Sequence, residues 1–322
     1  MRPPKDWEKN KGTRGPAEVV AHAQGALLGQ LVGDALGSIV EFKTADEIRR
    51  LFPKGVTELV ASSVFHTLPG QPTDDSEMAL ALARSIVTRG EYSAEAVWES
   101  YMRWNDSDPF DCGNTIRAAI VGVKNQTSQA NGAMMRVSPI GITGVQSSIE
   151  NVSWWARLDA GLTHPHPVCL NANSIYATAI TTAVANDLSA QDLYEFVAES
   201  EAEPSVADVI ARAQTSPPED YITQQGWVLI AFQNALWQLL HAKSFEEALI
   251  DTVRRGGDTD TNAAICGALL GGLYGIEAIP KRWVDTVLSC RPEAGAPHVR
   301  QPRPREYWPT DALELAAKLV GQ

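Results

Sequence analysis

The chain is short of cysteine, short of positive charge and without a long apolar run. Its four cysteines (Cys112, Cys169, Cys266 and Cys290) stand far apart in 322 residues and show no C-x-x-C spacing. That pattern excludes a disulfide framework and a thiolate zinc site, and fits reduced thiols of a cytoplasmic protein. Lysine and arginine number 27 against 39 aspartates and glutamates, a net charge of −12. Such a chain repels nucleic acid and anionic membranes, so neither is expected as a partner. No apolar stretch approaches the ~20 residues that cross a bilayer, and the amino terminus has no apolar signal core. Apolar–polar alternation is also scarce, with Val56–Phe65 the one weak strand candidate.

What fills the chain is helical period. Ala26, Leu27, Leu31 and Leu36 recur at helical spacing, as do Met78, Leu82 and Ile86 after Asp74, and Val97, Tyr101 and Trp104 beyond them. Further helices are expected near 113–124, 152–161, 168–186, 189–200, 205–214, 225–242, 245–255, 260–274, 282–290 and 311–319. Ser93, Ser189 and Ser244 read as N-caps, and Gly90 and Gly122 as C-terminal stops. Several segments are rich in glycine and alanine, which lets helix axes approach closely. The tryptophans Trp154, Trp155, Trp237 and Trp283 fall on apolar faces and read as core. The expectation is one all-α, many-helix domain over residues 23–322, preceded by a flexible basic arm over 1–22 carrying Arg2, Lys5, Lys9, Lys11 and Arg14.

Two acidic clusters open helices. One is Thr73-Asp74-Asp75 and the other is Gly256-Gly257-Asp258-Thr259-Asp260-Thr261. Thr and Asp are favoured caps, and carboxylates sit well at the positive end of a helix dipole. A cap needs one oxygen, however, and each cluster offers three. Asp74 and Asp75 point ~100° apart on a helix, so they suit neighbouring ions better than one. Gathering these acids in one place is costly unless cations neutralise them. All-oxygen ligands without His or Cys favour hard ions, two Mg²⁺ or Mn²⁺, able to polarise vicinal hydroxyls and hold a water.

Taken in order, Gly33-Asp34-Ala35-Leu36-Gly37 with Glu41, Thr73-Asp74-Asp75, Asn131-Gly132-Ala133-Met134-Met135-Arg136 and Gly257-Asp258-Thr259-Asp260-Thr261 resemble the motifs of the ADP-ribosylglycohydrolase family. The resemblance implies an all-α fold with a binuclear metal cleft that removes ADP-ribose from modified protein side chains. Carried over by position, the metal ligands are Thr73, Asp74, Asp75, Asp258, Asp260 and Thr261. Glu41 and Asp111 bring further carboxylates to the cleft, either of which can serve as general base, with Asp111 favoured. Ser128 to Gly132 match the loop that holds the diphosphate and distal ribose, with Asn131 and Gly132 the firmest positions. His164 matches a histidine near the nucleotide, and Trp227 stands where tyrosine is more usual and is a candidate adenine-stacking surface. Methionine at Met134 also departs from the family pattern. Arg136 is expected to pair with a buried acid, and His164 and His166 are not expected to bind metal.

These features support a metal-dependent hydrolase acting on an ADP-ribosylated protein, with arginine the expected linkage. A second expectation is that the basic arm docks onto an ADP-ribosyltransferase or toxin and neutralises it, as an immunity protein would.

Overall fold

In this computed structural model, which describes residues 12–321, the helical periods of the sequence become fifteen α-helices. The first five are α1 (Pro16–Gly37), α2 (Ala45–Leu51), α3 (Asp74–Arg89), α4 (Ala94–Asp106) and α5 (Asn114–Ile120). Next come α6 (Ser138–Thr143), α7 (Ile149–Thr163), α8 (Pro167–Ala185), α9 (Ala190–Ala198) and α10 (Pro204–Arg212). The last are α11 (Val228–His241), α12 (Phe245–Arg254), α13 (Thr259–Tyr274), α14 (Lys281–Ser289) and α15 (Ala312–Leu319). Ser93, Ser189 and Ser244 each accept a first-turn backbone N–H, as their positions predict. Gly90 ends α3 in the left-handed region at φ 81°. No named helix is long and apolar enough to cross a membrane.

Two helices at the centre meet main chain to main chain. Gly25, Gly29, Gly33 and Gly37 recur every four residues on α1 and face Gly271, Gly267, Ala263 and Thr259 of the antiparallel α13. A Cβ on Gly29 would lie 2.2 Å from the Gly267 carbonyl oxygen, and one on Gly33 would lie 2.1 Å from that of Ala263. Only glycine permits this approach. The seam carries the carboxyl end of α1 alongside the amino end of α13, where the second acidic cluster stands.

Four expectations need correction. Val56–Phe65 forms no strand; among the described residues there is none, so an extended segment finds no partner to pair with. Its carbonyls serve side chains instead, Thr57 O accepting from Trp283 Nε1 at 3.0 Å. Trp154 is 59% exposed, because it and Trp155 project in different directions from α7 and only Trp155 packs against the core. The helices over 45–51 and 138–143 carried too short a period to be read.

The arm, finally, is shorter than expected. Residues 16–22 form the first turns of α1, begun by Pro16 and a Glu18 carboxylate that accepts the Gly15 N–H at 2.9 Å. Arg14 is folded onto the body: its guanidinium donates to the carbonyls of Ala183 and Asn186 at the end of α8 and to Leu273 O near the end of α13. A cation there complements both helix dipoles. The other basic residues assigned to the arm, Arg2, Lys5, Lys9 and Lys11, lie outside the described residues.

Candidate metal centre

The first acidic turn is capped from another helix. Thr73 precedes α3 but its side chain makes no cap bond. Instead Asp34 of α1, wholly buried, accepts from Thr73 N at 3.1 Å, Ser76 N at 3.1 Å and Thr73 Oγ1 at 2.9 Å. The capping role that Asp74 and Asp75 might have filled is therefore taken. The second cluster is similar: Asp258 stands at the N-cap of α13 with no side-chain cap bond.

Glycine sets the second turn. Gly256 and Gly257 have φ of 80° and 77°, and a Cβ on Gly257 would lie 2.0 Å from Tyr221 O. The turn is laced to the chain after α1 by Phe42 N donating to Gly257 O at 2.8 Å and Gly257 N donating to Lys43 O at 2.9 Å. That lacing places Glu41 beside Asp258 and Asp260, and one carboxylate oxygen from each of the three lies within 4.8 Å of the others.

Six carboxylates, those of Glu41, Asp74, Asp75, Asp111, Asp258 and Asp260, line one cleft of about 480 Å³ together with Thr261. The two clusters, far apart in sequence, thus converge. Among the described residues no lysine or arginine lines the cleft. Burial, reinforced by neighbouring negative charge, pushes Asp74, Asp75 and Asp260 well above the usual carboxylate range. Burial and the charges of Asp258, Asp111 and Asp75 likewise lift Glu41 to about 10, against a hydrogen bond to Asp260 that lowers it. Glu41 Oε2 and Asp75 Oδ1 are buried with no hydrogen-bond partner. Orphaned oxygens, carboxylates that hold protons without a counter-ion, and an all-oxygen donor set fit a hard divalent cation.

Around this centre the other expected residues divide. Asp111 lines the cleft half-buried, accepting from its own neighbour's Cys112 N at 2.8 Å. Asn131 Nδ2 donates to Asp258 Oδ2 at 2.7 Å, and its loop is bridged to residues 226–228 by Asn131 N to Gly226 O at 2.9 Å. Gly132 faces the His164 ring, to which an added Cβ would approach within 3.1 Å. His164 is buried and its imidazole is pushed down to about 3 by burial and by the Arg136 charge. The Thr163 hydroxyl accepts from Arg136 Nη2 at 2.9 Å and lies 2.7 Å from His164 Nδ1. The ring itself stands on the cleft wall. Arg136 itself pairs with Asp159 at 3.0 Å, both wholly buried, as expected.

Three residues stand back from the cleft. Thr73 is fully buried, its hydroxyl committed to Asp34 and to Asp75 Oδ2 at 3.2 Å. Ser128 Oγ meets Thr115 Oγ1 at 2.8 Å, and it is Thr115 that reaches the lining. The Trp227 ring bonds through Nε1 to Gln129 Oε1 at 3.0 Å and borders a neighbouring cavity with Gln224 and Gln233. Trp227, expected as an adenine-stacking surface, thus borders that cavity and is not among the residues lining the acidic cleft. Sequence reasoning missed Phe42, Thr115, Gln225 and Gly226 as cleft residues; only the glycine ahead of Trp227 signalled a loop there.

Known proteins resemble the chain over most of its length. The sequence model of the ADP-ribosylglycohydrolase family matches residues 16–316. An ADP-ribosylarginine hydrolase, Tri1, of Pseudomonas putida is 27% identical over 87% of this chain and 78% of its own. An ADP-ribosyl-[dinitrogen reductase] glycohydrolase of Rhodospirillum rubrum is 30% identical over 82% of this chain and 89% of its own. A solved structure described as an ADP-ribosylglycohydrolase-related protein complex superposes with a TM-score of 0.77 at 25% identity, covering 94% of this chain and 98% of that one. With its acidic turns converged and the family match running nearly end to end, the chain belongs to the ADP-ribosylglycohydrolase family.

Proposed function

We propose that the protein hydrolyses the N-glycosidic bond of mono-ADP-ribosylated arginine, releasing ADP-ribose and the free guanidino side chain. The observation that carries this reading is the meeting of Asp74 and Asp75 with Glu41, Asp258 and Asp260 in one cleft. The arginine linkage is supported by the similarity to an ADP-ribosylarginine hydrolase.

Asp74, Asp75, Asp258, Asp260 and Thr261 are the side chains that would hold one or two hard cations, Mg²⁺ or Mn²⁺, with Glu41 beside them. Thr73 would support that set through Asp75. Bound there, the ions supply Lewis acidity and a grip on vicinal ribose hydroxyls. The chain's own residues do the rest. Asp111, half-buried and open to the cleft, accepts the proton of the attacking water as that oxygen bonds to the anomeric carbon. The carbon–nitrogen bond breaks and the guanidine leaves with a proton. Such acid–base help is worth ~10²–10⁴ in rate. Glu41 offers a second carboxylate against positive charge building on the ribose. Asn131, Gly132 and the His164 imidazole line the side of the cleft where the diphosphate and distal ribose would lie, with Ser128 behind Thr115.

The deciding assay offers ADP-ribosylarginine and ADP-ribosylserine peptides to the full-length protein with Mg²⁺ or Mn²⁺. Release from arginine alone, abolished by chelator and restored by metal, supports the reading. Release from serine alone overturns the linkage, and release that ignores chelator overturns the metal's role.

A further inference from the structure

A second cavity of about 510 Å³ lies between the loop after α2 and the loop after α14, with His66, His298 and Arg300 on its walls. We propose that it holds an acidic side chain of the modified protein while the ADP-ribosylated residue occupies the metal cleft. The proposal rests on the hydrolase reading of that cleft and adds to it a preference in the protein substrate.

Charge is the first argument. The chain carries a net charge of −12, yet among the described residues no acidic one lines this cavity. His66, His298 and Arg300 are exposed, and among the described residues none has an ion-pair or hydrogen-bond partner. Arg303, three residues on, is by contrast buried on Glu77 at 2.8 Å. The second argument is an unanswered donor. Thr67 lines the same cavity, is only 3% exposed, and its hydroxyl has no partner among the described residues. A carboxylate accepts from an imidazole N–H, a guanidinium and a hydroxyl alike, so one acidic side chain suits all of these donors.

The walls are built. His66 and His298 both have left-handed backbones, at φ 60° and 67°, which side-chain-bearing residues seldom adopt. Gln301 Nε2 donates to Phe65 O at 3.0 Å and Gln71 Nε2 donates to Gln301 O at 2.7 Å, stapling the two loops together. Position is the last argument. The Phe65 ring packs on Phe110 with centroids 5.8 Å apart, and Phe110 immediately precedes Asp111 of the metal cleft. The ring contact thus brings the chain beside His66 against the chain beside Asp111. A substrate backbone leaving the cleft advances ~3.3 Å per extended residue, so a residue flanking the modified one is the candidate occupant.

The test compares wild type with Arg300→Gln and with the double variant His66→Gln/His298→Gln. Three substrates are offered: free ADP-ribosylarginine, a modified peptide with flanking glutamates, and the same peptide with glutamines. The expected result is a roughly tenfold rise in KM for the glutamate peptide alone, with kcat unchanged. An equal effect on all three substrates, or none on any, overturns the proposal. Binding of the unmodified glutamate peptide, followed by fluorescence anisotropy, gives a readout without turnover. Binding that exceeds that of the glutamine peptide and falls in the variants supports the site; equal binding by wild type and variants overturns it. A wild type that hydrolyses nothing overturns the hydrolase reading instead, and the anisotropy then decides this site alone.

Discussion

Asp34 frees its neighbours. By capping the backbone of α3 from α1 it takes over the N-terminal duty, leaving Asp74 a bond from Gly113 N and Asp75 one from the Thr73 hydroxyl. Asp75→Asn should then have opposite effects on activity and stability. Turnover should fall by ~10² or more, since even outer partners of a bound metal matter by ~10–100-fold. Unfolding of the chelator-treated variant should occur at higher temperature than that of chelated wild type, because one buried carboxylate has been removed. His164 gives the pH prediction. Folding lowers its pKa from 6.5 to about 3. Between these values the unfolded chain binds a proton that the folded protein does not, so stability rises with pH across that window and drains away in acid. Denaturant unfolding of His164→Gln at a series of pH values from 7 to 4 should show a shallower acid limb, by up to ~1.4 kcal/mol per pH unit. The acidic motifs were legible from residue type and spacing alone. Asp34 as a cap was not, because no local spacing reveals an acceptor 39 positions away.

At the scale of elements the α1–α13 seam predicts a contrast between two alanine substitutions. Gly33→Ala puts a methyl against the Ala263 carbonyl and should cost about 1–3 kcal/mol or more by overpacking. Gly272→Ala meets only methyl groups at 3.6–3.7 Å and should gain up to ~1 kcal/mol from helix propensity. Thermal unfolding of the two variants checks both signs. Metal affinity should weaken in Gly33→Ala alone, because the seam ends at Asp258 and Asp260. Most helices were legible because the outer ones bury one stripe, the central ones are long apolar runs, and their Ser, Pro and Gly punctuation is local. The short helices over 45–51 and 138–143 were not, since two turns or fewer show no stable period. The cavity that Trp227 borders was not legible either, since residue 227 is bridged to Ala130 across nearly a hundred residues of chain.

Across the molecule, the carboxyl-terminal segment is tied to the site through one buried ion pair. Arg303 bonds Glu77 in the first turn of α3 and donates at 2.8 Å to the Ser107 carbonyl in the chain that leads to Asp111. Trp104 Nε1 donates a further bond to Glu77 Oε2 at 2.8 Å. Arg303→Met leaves that carboxylate buried without its cation, and denaturant unfolding should record a loss of about 3–5 kcal/mol. The double variant Arg303→Met/Glu77→Leu should recover much of it. This tie was invisible in sequence, as was the folding of Arg14 onto α8; each joins segments that only the tertiary fold brings together. The glycine seam, last, has no rotamers to rearrange. The spacing between the two sets of oxygen donors is held like plates on a rivet, whatever occupies the cleft. Divergence at the rim, through Phe42, Gln225 or the loops carrying His66 and His298, can therefore change which proteins are processed and leave the grip at the centre untouched.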